Sequence, residues 1–125
     1  MELRPCRPQD ADALAQIYFD AVRIGAAPKY SAAALAAWAP ERPKAAVWAA
    51  RLQGLITQVA SDRTPIGFMS LCPTGRLDLA YVAPEWRGKG VADALHDAIL
   101  VQARALKLPA LTTEASLMAR PFFLR

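Results

Sequence analysis

Apolar residues in the first part of the chain recur at the three- and four-residue spacing of amphipathic helices. Residues 1–7 alternate weakly between apolar and polar and predict a first strand. Three later stretches have helical spacing, and each follows or contains a residue that favours a helix start: residues 11–23 after Asp10, 32–38 after Ser31, and 43–53 beginning at Pro43. The chain is therefore expected to open with one strand and three helices.

From residue 55 the spacing changes to that of β-strands. Three short runs, separated by turns of hairpin length, predict an antiparallel meander at residues 55–61, 66–71 and 76–82. A long helix follows to about residue 106, and its predicted core face consists of Val91, Leu95, Ile99 and Leu106. A strand at residues 110–114 and an amphipathic segment at residues 117–124 complete the pattern.

This order of elements predicts an α+β fold with helices on both faces of a central sheet, an α/β arrangement of three layers. The sheet is expected to be mixed and mostly antiparallel. The helix between the fourth and fifth strands is a crossover connection, which makes those two strands parallel neighbours. A chain of 125 residues supports one core, so residues 1–125 are expected to form a single domain.

Composition narrows the class of protein. Hydrophobic residues make up 54% of the chain, charged residues 21%, and there are 6 glycines, which excludes collagen-like and disordered proteins. No apolar run reaches the roughly 18 residues of a membrane span. Charged residues near the N-terminus argue against an export signal. We therefore expect a cytoplasmic protein with no membrane partner.

The formal net charge of +4 favours anionic partners. Arginine and lysine are scattered through every segment, mostly next to an acid, which argues against a nucleic-acid partner. Cys6 and Cys72 lie far apart and His96 is the single histidine, so the sequence predicts no metal site. Both cysteines are expected to be small buried hydrophobes, and His96 an exposed or half-buried helix residue.

Residues 79–95 are predicted to form a strand, a glycine-containing loop and the start of a helix. Backbone N–H groups and the positive end of the helix dipole at such a junction bind anions. Gly88 and Gly90 allow left-handed backbone angles, and Arg87 and Lys89 add positive charge. A diphosphate fits this combination. The alternative is that the glycines serve only as turn residues and the cations as solvated loop charges.

Three phosphate-binding patterns compete for this loop. A P-loop needs a hydroxyl residue after its lysine, whereas Lys89 is followed by Gly90. A dinucleotide fingerprint starting at Gly88 would place Asp93 at its third glycine position. The third pattern, R/Q-x-x-G-x-G/A, matches residues 87–92 (RGKGVA), after a three-strand meander and before a long helix.

At these residues the chain resembles the GNAT superfamily of acetyl-CoA-dependent N-acetyltransferases. Residues 114–123 (EASLMARPFF) look like the family's A-S-x-x-A-x-P-F-[YF] segment, and the opening strand with Arg4 and Pro5 looks like its usual beginning. The resemblance covers essentially the whole chain. It implies the GNAT-like acyl-CoA N-acyltransferase fold and acetyl transfer from acetyl-CoA to a primary amine of a small molecule or peptide.

The resemblance also implies a set of cofactor-binding residues. The backbone of Tyr81 and Val82 would pair with the pantetheine arm, and Ala119 and Phe122 would line the far side of the cofactor. The pyrophosphate would be held by the backbone amides of Arg87, Gly88, Lys89, Gly90, Val91 and Ala92.

In the family the amine attacks the thioester directly, which requires a base for the ammonium proton. Asp78 is the first candidate base, with the equal alternative that it is a surface strand residue paired with Arg76 or a neighbour. Glu114 is the second candidate. Ser116 could position a water, or it could cap the last helix.

Phe123 stands where many family members have a tyrosine that protonates the departing thiolate. Tyr81 or solvent could take over that step. Alternatively, the protein is a non-catalytic or weakly active acyl-CoA-binding module, which is the second function hypothesis. Tyr30, Trp38 and Trp48 fall where the family places its acceptor wall, and core packing explains two of the three at least as well.

The family pattern continues with further strands, whereas this sequence ends at Arg125. A C-terminally short fold would leave the strand at residues 110–114 with an open edge, which invites pairing with another chain. Two outcomes are open: a homodimer covers that edge, or the chain is a truncated form with impaired catalysis.

Overall fold

A five-stranded sheet in the order β1-β2-β3-β4-β5 runs through the middle of the protein. The structure is a computed structural model that describes residues 1–25, 30–39, 41–108 and 112–113. Neighbouring strands are antiparallel except β4 and β5, which are parallel. The strands are β1 (Glu2–Pro5), β2 (Ile56–Asp62), β3 (Thr64–Leu71), β4 (Arg76–Val82) and β5 (Thr112–Thr113). The predicted mixed sheet and its parallel crossover are confirmed.

Helices cover both faces of this sheet, which confirms the three layers. They are α1 (Ala11–Asp20), α2 (Ala32–Trp38), α3 (Ala45–Leu52) and α4 (Val91–Ala105). Helices α1 and α3 pack against one another on one face, and α4 packs on the other. The helix predicted over residues 11–23 ends earlier, because a π-helical turn at Ala21–Gly25 replaces its last part. No helix among the described residues is long and apolar enough to span a membrane.

Adjacent residues of the central strands supply two separate cores. On β3, Phe68 belongs to the core under α1 and α3, and its neighbour Met69 belongs to the core under α4. Both are at most 2% exposed. This alternation places a continuous apolar layer on each side of the sheet, so both faces bury side chains.

The core face predicted for the long helix needs one correction. Val91, Leu95 and Ile99 are buried as predicted, but Leu106 is 49% exposed and Ala103, at 5%, completes the buried row. The helix ends at Ala105, and the buried positions continue at a spacing of four residues. Leu106 therefore falls beyond the face that contacts the sheet.

The cysteines and the first hairpin also differ from expectation. Cys6 and Cys72 are free and half-buried rather than fully buried, and partial burial raises the pKa of the Cys6 thiol. The hairpin predicted over residues 62–65 is tighter, because Arg63 takes a left-handed φ of 68° between Asp62 and Thr64. Strand β3 consequently begins at Thr64.

Ser31 caps α2 as predicted, since its hydroxyl accepts a hydrogen bond from the Ala34 N–H at 3.1 Å. Asp10 does not cap α1. Its carboxylate accepts two hydrogen bonds from the Arg4 guanidinium, at 2.8 and 2.9 Å, and one from the Arg7 N–H at 2.7 Å. The bonds with Arg4 are the main cause of the lowered pKa of Asp10. Asp10, predicted as a helix cap, instead forms an ion pair with Arg4 that joins β1 to the start of α1.

Parts of the C-terminal prediction lie outside the described residues. The strand predicted at residues 110–114 is described only at Thr112–Thr113, where it pairs with Arg76 and Leu77 of β4. The amphipathic segment predicted at residues 117–124 falls entirely outside.

Candidate functional site

The connection between β4 and α4 takes the loop conformation that its glycines predict. The Ala83 N–H donates to the Ile66 carbonyl at 2.8 Å, and a short 3-10 turn follows at Pro84–Trp86. Gly88 and Gly90 then have φ angles of 75° and 83°, in the left-handed region. A Cβ built at either glycine would meet no atom within 4 Å, so both backbone segments border open space. This arrangement lets a ligand approach the main chain closely.

Helix α4 begins with its amides directed at this space. Its N-cap is Gly90, which has no side chain to bond the helix amides, and the Ala94 N–H donates to the Gly90 carbonyl at 3.1 Å. The N–H groups ahead of Ala94 have no acceptor one turn back within the helix. These amides and the helix dipole are the groups for which the sequence predicts an anion site.

The two loop cations differ in their surroundings. Arg87 and Lys89 are both exposed, and the Lys89 ammonium lies 5.2 Å from the centroid of the Trp86 ring. Trp86 is half-buried and packs against the core cluster that contains Val91 and Leu95. The indole therefore packs the loop against α4 and holds the lysine beside the glycines.

Gly67 is a site residue that sequence reasoning missed. It lies on β3, opposite Val82 of β4. A Cβ there would come within 3.0 Å of the Val91 Cγ1 atom and 3.2 Å of the Tyr81 carbonyl oxygen. The start of α4 can therefore sit this close to the sheet only because residue 67 has no side chain. A glycine inside a predicted strand is the signal that could have identified it.

The β4 edge beside the loop has few ladder partners among the described residues. Tyr81 and Val82 pair with Phe68 and Gly67 of β3. On the other side, the described part of β5 pairs only with the start of β4, at Arg76 and Leu77. Among the described residues, the later part of β4 has a ladder partner on one side only. This is the stretch of backbone to which the sequence assigns the pantetheine arm.

A β-bulge directs Asp78 toward α3. Ser70 pairs with Leu79 and Leu71 pairs with Leu77, so Asp78 has no opposite residue in β3. Its carboxylate lies 3.4 Å from the Arg51 guanidinium, and the two side chains are 19% and 52% exposed, in that order. The alternative to a catalytic role is an ion pair with Arg76 or a neighbour, and the neighbour that the structure places beside Asp78 is Arg51 of α3.

Tyr81 has its ring among aromatic residues. It contacts Tyr18 edge-on with ring centroids 5.1 Å apart, and Phe68 at 5.8 Å. Burial is the main cause that raises the pKa of Tyr81 to about 12, and the nearby Arg51 acts in the opposite direction. The phenol therefore keeps its proton at neutral pH and is available as a hydrogen-bond donor.

Of the three aromatic residues predicted as an acceptor wall, Trp48 belongs to the core. It is 4% exposed, its ring lies 4.7 Å from that of Tyr18, and its indole N–H has no hydrogen-bond partner. Tyr30 and Trp38 are half-buried and contact each other edge-on at 5.6 Å. Tyr18 and Phe19 are half-buried as well and pack against the same small core cluster.

The other predicted site residues are placed as follows. His96 is half-buried on α4, as predicted. Within the described ranges no group of three or more His, Cys, Asp or Glu side chains could hold a metal ion. The remaining predicted residues all lie outside the described part of the chain: Glu114, Ser116, Ala119, Phe122 and Phe123.

Known proteins are similar to this chain in sequence and in architecture. A family model described as an acetyltransferase (GNAT) domain matches residues 26–125. The uncharacterized N-acetyltransferase YafP of Escherichia coli K12 is 29% identical over 133 residues, which cover 100% of this chain and 79% of that protein. Among solved structures, a GCN5-related N-acetyltransferase from Rhodopseudomonas palustris superimposes with a TM-score of 0.91 at 36% identity, over 98% of this chain and 78% of that one.

A more distant structure has the same fold. The PaiA N-acetyltransferase of Thermoplasma acidophilum, solved in complex with coenzyme A, gives a TM-score of 0.63 at 22% identity. The alignment covers 85% of this chain and 71% of that one.

Proposed function

The chain belongs to the GNAT superfamily and is an acyltransferase, and we propose that it transfers an acetyl group from acetyl-CoA to a primary amine. Bound acetyl-CoA would supply the thioester carbonyl that the amine attacks. The observation that carries this proposal is the pair of left-handed glycines at the start of α4, directly after β4.

The residues present fit coenzyme A. The open space in front of Gly88 and Gly90 would admit a pyrophosphate, which the amides of residues 87–92 would bind. Exposed Arg87 and Lys89 add positive charge at the same place. The backbone of Tyr81 and Val82 would bind the pantetheine arm along the free side of β4. Ala119 and Phe122 are kept as proposed contacts on the far side of the cofactor.

We further propose that Asp78 accepts the amine's proton, directly or through a water. An aliphatic ammonium has a pKa near about 10.4, so it must lose a proton before it can attack. The bulge in β4 brings the Asp78 carboxylate to the face on which α1 and α3 pack, and the single contact with Arg51 leaves its other oxygen available. Tyr81 keeps its proton and is proposed to donate it, or a hydrogen bond, to the departing thiolate. Ser116 is kept as a proposed water-positioning residue.

The acceptor is proposed to be a small-molecule or peptide amine that enters beside Tyr18, Tyr30 and Trp38. Their half-buried rings would contact an apolar or aromatic part of the acceptor.

The test combines two measurements on the purified protein. Thiol release from acetyl-CoA is followed across a panel of small-molecule and peptide amines, and CoA binding is measured by calorimetry. The expected result is CoA binding together with turnover of at least one amine. CoA binding without turnover of any amine contradicts acetyl transfer and favours the acyl-CoA-binding module. Absence of CoA binding contradicts both hypotheses.

A matched pair of glycine variants tests the loop assignment. Gly90→Ala and Gly54→Ala place the same methyl group at φ angles of 83° and 79°, with open space around both. Each should lose about 1 kcal/mol of folding stability, because alanine disfavours left-handed angles. Only Gly90→Ala should weaken CoA binding, by about tenfold, an energetic equivalent of about 1.4 kcal/mol. Equal effects of both variants on CoA affinity would contradict the assignment.

A further inference from the structure

A second cavity lies at the opposite edge of the sheet from β5. It has a volume of about 530 Å³ and lies where β1 ends, between the end of α3 and the start of β2. Its walls include Pro5, Ala49, Leu52, Leu55 and Ile56. The volume is in the range of small-molecule sites, and the walls are mostly apolar, as is usual for such sites.

A side-chain amide that reaches the open cavity is part of its wall. Gln58 on β2 is 7% exposed as a residue and lines the cavity. Its amide atoms are not among the buried side-chain polar atoms that lack a partner within the described residues, so they face the cavity rather than packed protein. The carboxamide can donate two hydrogen bonds and accept two. The cavity therefore offers hydrogen-bonding groups to a ligand.

The other polar groups define the chemistry of a matching ligand. Gln53, Thr57 and Gln102 also line the cavity and are neutral like Gln58. The charged residue among those that line it, Arg7, is exposed and interacts with Asp10. No acidic side chain of the described residues lines the cavity. A neutral ligand group that both donates and accepts thus matches the site better than an ammonium or a carboxylate.

We propose that this cavity is a second ligand site, which binds a small apolar molecule through an uncharged amide group. The ligand amide pairs with the Gln58 carboxamide through two hydrogen bonds, and its apolar part contacts Leu52 and Ile56. The site is separate from the loop of Gly88 and Gly90, because it lies at the β1 and β2 edge of the sheet and the loop follows β4. The proposal is thus independent of acetyl transfer.

The probe is hexanamide, with hexanoate and hexylamine as charged analogues of the same chain length. Binding is followed by amide NMR on the isotope-labelled full chain, including the side-chain NH2 signals of glutamine. Hexanamide is expected to shift the Gln58 NH2 signals, and the two charged analogues are expected to bind at least about tenfold more weakly. Saturating CoA should leave hexanamide affinity unchanged.

Gln58→Leu is expected to lower hexanamide affinity at least about tenfold, because it removes the amide that pairs with the ligand. Gln9→Leu is the matched control, since Gln9 is exposed and does not line the cavity, and it should bind hexanamide like the original protein. Should Gln58→Leu fail to fold, Ala49→Phe keeps Gln58 and fills the cavity from α3, and it should abolish binding.

Three results would overturn the proposal. The first is no shift of the Gln58 signals at the solubility limit of hexanamide, which would mean that water alone satisfies this amide. The second is equal binding of hexanamide, hexanoate and hexylamine. The third is unchanged hexanamide affinity in Gln58→Leu or Ala49→Phe. Absence of acetyl transfer in the thiol-release assay concerns the proposed function. It does not change the outcome of the hexanamide binding experiments.

Discussion

Two connections in this protein lead from a strand through a short 3-10 turn into a helix. They differ in whether a carboxylate stands immediately ahead of the helix. Between β1 and α1 the turn is Pro8–Asp10, and between β4 and α4 it is Pro84–Trp86. In the first, the Asp10 carboxylate sits ahead of the helix and is bonded by Arg4 and Arg7. In the second, Gly90 stands at the N-cap with no side chain.

Connections with the same local architecture can thus either stabilise the fold or leave room for a ligand. The first connection contains its own anion, so its donors are occupied and the ion pair joins β1 to α1. The second presents the backbone at Gly88 and Gly90 to open space, and the proposed anion there is that of a ligand. Changes in the first connection should therefore affect folding stability, and changes in the second should affect ligand affinity.

The largest effect is expected from Asp10→Asn. The Asp10 and Arg4 side chains are 7% and 14% exposed, so the variant leaves a largely buried guanidinium with only the exposed Glu2 carboxylate, at 3.8 Å, as its counter-charge among the described residues. We expect a loss of about 3 kcal/mol in the free energy of unfolding, measured by urea denaturation. CoA affinity of the folded variant should not change. A loss of CoA affinity as large as that in Gly90→Ala would contradict the division between the two connections.

Asp12→Asn is the matched control, because Asp12 also pairs with an arginine, Arg42 at 2.7 Å, but is 69% exposed. Asp12→Asn should lower the free energy of unfolding by less than about 1 kcal/mol. The pKa of Asp10 is lowered in the folded protein, so its ion pair adds stability above the unfolded pKa of about 3.9 and loses it as pH falls through the folded value. The stability difference between the original protein and Asp10→Asn should therefore vanish in that acidic range and be constant at neutral pH.

A smaller effect is expected from Gly67→Ala, which tests how closely α4 must approach β3. The added methyl would lie 3.0 Å from the Val91 Cγ1 atom, so α4 or the side chain must shift. We expect a loss of about 2 kcal/mol in stability, together with weaker CoA binding because the first turn of α4 moves.

The double variant Gly67→Ala/Val91→Ala checks this cause. Removing the Val91 methyl groups relieves the closest contact, so the double variant should lose less stability than the sum of the two single variants. If the stability losses of the two single variants simply add up in the double variant, crowding at Val91 is not the reason for the loss in Gly67→Ala.

The smallest effect is expected from Arg87→Ala, which removes an exposed charge near the glycines. CoA affinity should fall a few-fold at low salt, and the difference should shrink as salt is added. Arg104→Ala removes the same charge from an exposed position in the last turn of the same helix and should leave CoA affinity unchanged. Equal losses for the two variants would mean that net charge, rather than position, attracts the cofactor.

Local sequence patterns were sufficient to predict the helices, the meander and the glycine loop. The left-handed angles of Gly88 and Gly90 follow from the residues themselves, since glycine adopts them at little cost. Asp10 shows the limit of such patterns. Its position predicts a helix cap, but Arg4 on the preceding strand lies within reach and a charge-assisted pair prevails.

By itself, the sequence determined the order of elements, the crossover between the last two strands and the glycine loop between β4 and α4, because each depends on neighbours along the chain. The tertiary structure alone decided that Asp78 faces Arg51, that Trp48 is in the core and that Gly67 admits α4. These outcomes depend on a one-residue shift in strand register and on the distance between packed layers. Side chains far apart in sequence set both. A glycine inside a predicted strand marks position 67, but no local pattern shows which helix approaches it.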